Sequence, residues 1–157
     1  MLDGGIHYIA AIRQILGPDH PIVRTSAFTK QLQPHLPPVD TIDAILRTRD
    51  ELSGTFCVSF GTTFKGGGYS IACERGTVTA LRGKVIIEQL GVEAEESFDF
   101  PDEGAGVKQE VQAWAEGIQS GEIDPRLSAA EALKDLELLE AMLRSGEQNG
   151  TPIDVPP

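Results

Sequence analysis

The stretch MLDGGIHYIAAIRQILG, residues 1–17, opens the chain and governs how the remainder is interpreted. At about 100° per residue, its large apolar side chains fall on one helix face. That face consists of Ile6, Ile9, Ile12 and Leu16, and Gly17 follows as a typical helix-ending residue. The stretch therefore predicts an amphipathic helix that packs against a core.

Asp3, His7 and Gln14 lie on a neighbouring stripe, edged by two alanines small enough to leave room above a pocket. Asp3 and His7 are four residues apart, so their side chains can meet on a helix surface. A carboxylate beside an imidazole fixes its tautomer and raises its pKa, which suits an acid/base. The alternative interpretation is that Asp3 is a helix N-cap and His7 a solvated helix residue.

The opening motif resembles a known family. Leu2-Asp3-Gly4-Gly5-Ile6-His7-Tyr8, followed by Leu16-Gly17, is similar to the motif that begins the second domain of the Gfo/Idh/MocA oxidoreductases. Further stretches continue the resemblance: Asp40-Thr41, Gly54-Thr55, Gly76-Thr77, Glu110 to Trp114, and Ser128 to Gly146. The resemblance covers essentially all 157 residues but half of the family's architecture.

The resemblance implies both a fold and a site. This family pairs an N-terminal nucleotide-binding Rossmann domain with a C-terminal α+β domain. Its members hold the acid and the histidine of the motif at the substrate, and the histidine typically transfers a proton. Asp3 and His7 match those two positions. The resemblance also implies that the sheet face away from the helices lines the active site or contacts another subunit.

Composition restricts the class of protein. A length of 157 residues suffices for one domain with a real core, and the net charge of -11 disfavours nucleic acid and anionic membranes as partners. No apolar run approaches the ~20 residues of a membrane span, and no signal peptide is evident. Cys57 and Cys73 lie in strand-like stretches and are interpreted as buried thiols, so we expect a cytoplasmic protein. Scattered histidines and cysteines give a metal site no support.

The next segments alternate between strand and loop. Residues 22–31 are β-rich, with Arg24 on one side of a period-two pattern and neither side purely apolar. Three prolines within residues 33–38 exclude regular structure there. His35 lies in that loop, either as a surface residue or on the rim of a pocket.

Residues 40–48 and 54–63 predict a β-hairpin. On the returning strand, Phe56, Val58 and Phe60 alternate with the small residues Cys57, Ser59 and Gly61. A strand of small residues beside the helix that bears Asp3 and His7 would leave space for a ligand.

Glycines follow at Gly66, Gly67 and Gly68, and we interpret residues 64–68 as either a mobile loop at a pocket rim or a plain connector. They are not a phosphate loop, because no Lys-Ser/Thr pair or helix start follows. Strands are predicted over residues 69–74, 77–81, 84–89 and 92–100. The total is about six or seven strands, mostly antiparallel because their links are short.

Two helices are predicted near the end of the chain. Over residues 106–119, Trp114 is interpreted as a core residue and not as a stacking platform. Ser128 and Glu131 form a predicted capping box. An apolar stripe follows at Ala132, Leu136, Leu139 and Leu143, and residues 151–157 are expected to be a loose tail.

The sequence therefore predicts an α+β domain over residues 1–150, a mostly antiparallel open sheet of about six strands with helices on one face. An open sheet face would leave a large apolar or mixed patch, so we expect self-association, most simply a homodimer through the sheet.

Candidate site residues follow from these patterns. His7 and Asp3 are the predicted catalytic residues, and the predicted substrate-binding residues are Gln14, Arg24, His35, Cys57 and Ser59. No cofactor is predicted, because no Gly-rich strand-to-helix turn, no ribose-binding acid and no counterpart of the family's Glu-Lys-Pro lysine is present.

Three hypotheses on function remain open. The first is a cofactor-independent enzyme on a small molecule, an isomerase, a dehydratase or lyase, or a cyclase that is perhaps pericyclic. The second is a fragment or split half of an NAD(P)-dependent oxidoreductase. The third is a binding module without chemistry. A nucleotide-binding sequence in the same reading frame would favour the second, and absence of a cavity beside His7 the third.

Overall fold

In the computed structural model, residues 1, 3–63, 66–101 and 106–156 are described. The elements are α1 (Gly5–Leu16), β1 (Ile22–Lys30), β2 (Thr41–Thr48), β3 (Ser53–Ser59), β4 (Gly68–Cys73), β5 (Gly76–Leu81), β6 (Lys84–Gln89), β7 (Glu96–Asp99), α2 (Val107–Ser120), α3 (Ala129–Glu147) and β8 (Ile153–Asp154). The predicted α+β class with antiparallel strands is confirmed. Part of the loop predicted at residues 64–68 lies outside the described residues, since Phe64 and Lys65 are not among them.

The described strands form two four-stranded sheets where the sequence predicts one sheet of about six strands. The first sheet has the order β3-β2-β1-β8 and the second the order β4-β5-β6-β7. Contacts divide the chain into two compact units, residues 1–63 with 125–157 and residues 64–124, where the sequence predicts one domain over residues 1–150.

One face of the first sheet forms the core of the first unit. Ile42, Ala44 and Leu46 of β2 are buried, as their period-two spacing predicts. Ala44 pairs with Ala27 of β1 on one side and Phe56 of β3 on the other, so the buried side chains form a continuous row. Helix α3 packs over this row.

Helix α1 packs against α3 through the face that the sequence predicts. Ile9 is fully buried, and Ile6, Ile12 and Leu16 pack against the same core. Arg13 adds a polar connection, because its guanidinium binds Asp135 and lies 2.6 Å from the Glu131 carboxylate. This pairing, which the sequence does not predict, holds the C-terminal half of α1 against α3.

Helix α3 begins as predicted but buries a different stripe. The Ser128 hydroxyl accepts a hydrogen bond from the Glu131 backbone N–H at 3.3 Å, which confirms the cap. The Glu131 carboxylate does not reach back to Ser128, because Arg13 and Lys134 bind it instead. The predicted stripe was wrong in phase: Ala132 and Leu136 are exposed, Leu139 is buried and Leu143 is partly buried. The buried residues of α3 are Asp135, Leu138, Leu139, Ala141, Met142 and Ser145.

The C-terminal segment is not the loose tail expected from its prolines. Ile153 and Asp154 form β8, antiparallel to Thr25 and Arg24 of β1. Val155 is buried, and its N–H donates to the Val23 carbonyl at 2.8 Å. The pairing was missed because a two-residue strand leaves no periodic signal in the sequence.

The second unit contains β4 to β7 and α2, and its side chains are more exposed than predicted. Trp114 is 61% exposed, so its interpretation as a core residue is wrong within this unit. The helical spacing of α2 was correctly identified, but its large apolar side chains are exposed in the part of the chain that the structure describes.

The two cysteines, Cys57 of β3 and Cys73 of β4, are exposed and free, which corrects the expectation of buried thiols. Each lies at an outward or terminal strand position.

Among the residues that the structure describes, no helix combines the length and the apolar character needed to cross a membrane.

Two leucines of α3 provide a matched test of the core. Leu139 is 1% exposed and Leu136 is 44% exposed, one turn apart on the same helix. Leu139→Ala removes buried methyl groups and leaves a cavity, so we expect the free energy of unfolding to fall by about 2–5 kcal/mol. Leu136→Ala should lower it by about 1 kcal/mol or less. Urea unfolding measures the free energy of unfolding of both variants. Equal decreases would contradict the burial of Leu139 and the exposure of Leu136.

Candidate active site

The predicted catalytic pair lies at the start of α1. Asp3 and His7 are both exposed, and Gly4, not Asp3, is the N-cap residue. No side-chain cap bond forms there, so the interpretation of Asp3 as an N-cap is wrong. Within the described part of the chain, no hydrogen bond or ion pair engages either side chain. Both groups are thus free to meet a ligand.

Two loops position the first turn of α1. A Cβ atom added to Gly4 would lie 2.6 Å from Cζ of the Phe60 ring, so ring and helix start are in direct contact. The Phe60 N–H donates to the Asp40 carbonyl at 2.8 Å. Gln33 Nε2 donates to the Gly61 carbonyl at 2.9 Å. Residues 31–40, residues 60–61 and the start of α1 therefore meet at one end of the first sheet.

Asp40 is the centre of this arrangement. Its side chain is buried, and its carboxylate accepts hydrogen bonds from the Leu32 and Gln33 N–H groups at 3.0 and 2.7 Å and from the Thr41 hydroxyl at 2.9 Å. Burial opposes ionisation, but these hydrogen bonds outweigh it and the charge of His35 acts with them, so the pKa of Asp40 is lowered. The Asp40-Thr41 motif was the only sequence signal of this role.

The loop histidine is placed by the same residues. His35 is exposed on the loop whose Leu32 and Gln33 backbone groups bind Asp40. Its two predicted interpretations both stay open, since it is a surface residue that lies at the same end of the sheet as the start of α1.

Three other predicted binding residues lie on the opposite face of the first sheet. Arg24, Cys57 and Ser59 occupy the strand positions that alternate with the buried row. Arg24 Nε lies 2.7 Å from Asp154 Oδ1, and Ser59 Oγ lies 2.7 Å from Thr41 Oγ1. We call this the open face, and it carries mixed polar and apolar side chains.

Cys57 is a weak candidate for a nucleophile. It pairs across the sheet with Asp43. Burial raises the pKa of the Cys57 thiol, and the Asp43 carboxylate raises it further. A reactive cysteine needs a lowered pKa, so Cys57 is suited to contact and not to attack.

The structure thus separates the predicted site residues into two groups. Asp3, His7 and the exposed Gln14 lie on α1, which packs on the α3 side of the sheet. Arg24, Cys57 and Ser59 lie on the open face. The predicted ligand space between the helix and the small residues of β3 was wrong, because the large residues of β3, such as Phe56, point towards the helices.

The described residues do not fit a nicotinamide cofactor on their own. A Rossmann unit needs parallel strands joined by crossover helices. Every strand pair within residues 1, 3–63, 66–101 and 106–156 is antiparallel. In the same residues, no group of three or more His, Cys, Asp or Glu side chains is arranged to hold a metal ion.

Comparisons with known proteins place these features in context. The family model of the oxidoreductase family C-terminal alpha/beta domain, GFO_IDH_MocA_C, matches residues 1–155. The chain is 34% identical over 161 residues to Dehydrogenase FPY6 of Fusarium mangiferae, covering 96% of this chain and 44% of that protein. The chain therefore spans less than half the length of this relative.

Solved structures share the fold. An oxidoreductase from Thermotoga maritima superposes with a TM-score of 0.80 at 27% identity, over 97% of this chain and 43% of that one. The aldose-aldose oxidoreductase of Caulobacter crescentus, complexed with glycerol, superposes with a TM-score of 0.78 at 18% identity, over 96% and 46% of the two chains.

The lowered pKa of Asp40 makes stability depend on pH. The pKa of an aspartate in an unfolded chain is about 3.9. The stabilisation by ionised Asp40 is therefore fully present above that pH and is lost as the pH falls through the lower pKa of the folded state. We expect Asp40→Asn to lower the urea midpoint at neutral pH, and the difference from wild type to narrow below about pH 4. Asp43→Asn removes a charge from the open face of the same strand and controls for net charge. A difference that does not change with pH would contradict this role.

Proposed function

Because the chain belongs to the Gfo/Idh/MocA oxidoreductase family and corresponds to its C-terminal α/β domain, we propose that it supplies the substrate side of an oxidoreductase site. A nucleotide-binding unit outside these 157 residues holds the nicotinamide, since the antiparallel sheets described here do not fit it. The observation that carries the proposal is the family match over residues 1–155, with Asp3 and His7 exposed at the start of α1.

His7 transfers the proton of the reaction in this proposal. An imidazole nitrogen can accept a proton from a substrate hydroxyl and return it. Asp3 lies four residues before His7, ahead of the N-cap residue Gly4, and its proposed role is to orient the ring once substrate fills the site. The proposed substrate contacts are Gln14, on α1, and His35, in the loop at the same end of the sheet as the start of α1.

The open face supports a proposal of self-association. Phe28 is 64% exposed and Ile45 is 58% exposed on neighbouring strands, and Arg24 and Asp43 add charges of both signs. A two-fold contact places a patch against a second copy of itself, and mixed charges are compatible with that arrangement. We propose that this face forms a homodimer, and Arg24, Cys57 and Ser59 then lie at the interface and not at the substrate of the same chain.

Two alternative functions compete with this proposal. The first is a cofactor-independent enzyme, whether isomerase, lyase or cyclase, and the second is a binding module without chemistry. The exposed pair of Asp3 and His7 is compatible with acid/base chemistry of the first kind. Turnover without nicotinamide distinguishes it from the substrate-side proposal.

Reconstitution tests the substrate-side role. The chain is mixed with the part of the Fusarium mangiferae dehydrogenase that lies outside the match, and nicotinamide reduction is followed with a panel of polyols and sugars. We expect no NAD or NADP binding by the chain alone in calorimetry, and turnover in the mixture. His7→Gln, which keeps a helix-forming side chain but cannot transfer a proton, should lower turnover by about 10²–10⁴.

His20 provides the matched control. It is a partly exposed histidine whose Nδ1 lies 2.8 Å from Asp50, so His20→Gln should leave turnover near that of the wild type. Full activity of His7→Gln would overturn the assignment of His7. Turnover of the chain alone, dependent on His7 and independent of nicotinamide, would establish the competing enzyme.

The homodimer is tested by a charge placed at the centre of the open face. Ile45→Glu buries an unpaired carboxylate at the proposed interface, so we expect a dimer by analytical ultracentrifugation for the wild type and a monomer for the variant. Leu52→Glu, at an exposed turn position before β3, is the control and should leave the dimer intact. A wild-type protein that is monomeric at all concentrations would contradict the proposal.

A further inference from the structure

Asp40 is a buried, ionised group that the proposed reaction does not use. Its side chain is 1% exposed although it lies only at the start of β2, near the surface loops. A buried carboxylate is costly unless hydrogen bonds compensate for the lost hydration. Three donors do so here, and two of them belong to the backbone of the loop that carries His35.

The Asp40 carboxylate also contacts the backbone of Gly61. A Cβ atom added to Gly61 would lie 2.6 Å from Oδ1 and 2.7 Å from Oδ2 of Asp40, so the Gly61 backbone rests directly on this group. The Asp40 carbonyl also accepts the Phe60 N–H. Asp40 therefore contacts Gly61 through its side chain and binds Phe60 through its main-chain carbonyl.

Phe60 passes this constraint to α1. Its ring fills the space beside Gly4, where even one methyl group would overlap it. Gly4 is the N-cap residue of the helix, one residue after Asp3 and three before His7. At both glycines an added Cβ would lie within 3.0 Å of the neighbouring side chain, so that side chain would have to shift to accept it. The two contacts are therefore close enough for a displacement of Asp40 to be felt at α1.

We propose that Asp40 is a positioning residue of the site: through Gly61 and Phe60 it fixes the first turn of α1, and with it the orientation of Asp3 and His7. This inference rests on the proposed function, because it concerns the geometry of the same pair. Asp40 does not touch the substrate. It fixes the position of the His35 loop relative to the start of α1.

Nuclear magnetic resonance of the whole chain tests this coupling without any activity assay. The probes are the His7 ring signals, assigned with His7→Gln, and the exchange rates of the Tyr8, Ile9 and Ala10 amides, which bond to the carbonyls of residues 4–6. Asp40→Asn keeps the volume but removes the charge and converts one acceptor oxygen into a donor NH2 group, so the hydrogen bonds from Leu32 and Gln33 are weakened. We expect a shifted His7 signal and exchange about fivefold faster at these amides.

Matched variants separate positioning from general stability. Gly61→Ala presses a methyl group on the Asp40 carboxylate, whereas Gly54→Ala adds the same group to β3 with no neighbouring atom within 4 Å. The first should reproduce the effect of Asp40→Asn at residues 8–10, and the second should not. Gly4→Ala, at the half-buried helix start, should in return shift the amide signals of Leu32, Gln33 and Gly61.

The outcomes decide the proposal. If Asp40→Asn does not fold, Gly61→Ala and the reciprocal Gly4→Ala still report the coupling. The proposal would be overturned by a folded Gly61→Ala protein with unchanged exchange at residues 8–10, together with a folded Gly4→Ala protein with unchanged amide signals at residues 32, 33 and 61. In the reconstituted enzyme, Asp40→Asn should lower kcat more than it raises KM. Failure of His7→Gln to affect turnover would instead reject the proposed function and leave the measured coupling intact.

Discussion

Burial of one side of α3 holds the first unit together. Leu138, Leu139 and Met142 fill the space between this helix, α1 and the first sheet. Asp135, near the start of α3, binds Arg13 of α1, and Ser145, near its end, binds the main chain on two sides. The helix thus connects the opening segment, the central strands and the C-terminal segment, and a change in its packing is felt at each of them.

The candidate site depends on this packing without belonging to it. Ile9 and Arg13 fasten one side of α1 to α3, which leaves the opposite side of the helix, with His7, towards solvent. Ile6 packs the first turn against the core, and the Phe60 ring contacts its start. The site therefore lies on the exposed side of a helix whose other side is part of the core.

Much of this arrangement could be predicted from the sequence, and the failures have physical causes. The apolar face of α1 and the buried alternation of β2 were correct because periodic burial leaves a periodic pattern. The phase of α3 was wrong because Asp135 and Ser145 are buried through specific partners, which hydropathy does not indicate. Trp114 was misassigned because an amphipathic helix is compatible with an interface as well as with a core. Asp40 was recognised only as part of a motif, since a carboxylate that binds backbone N–H groups has no spacing signature.

One further consequence concerns the outer edge of β1. Strand β8 pairs with only Arg24 and Thr25, although β1 continues to Lys30. Just beyond that pairing, the Ser145 hydroxyl accepts the Ala27 N–H at 2.8 Å and donates to the Thr151 carbonyl at 2.7 Å. A backbone donor that would otherwise recruit a strand from another molecule is therefore already satisfied by a side chain. Ser145 thereby reduces the capacity of this part of the β1 edge to pair with a strand of another molecule.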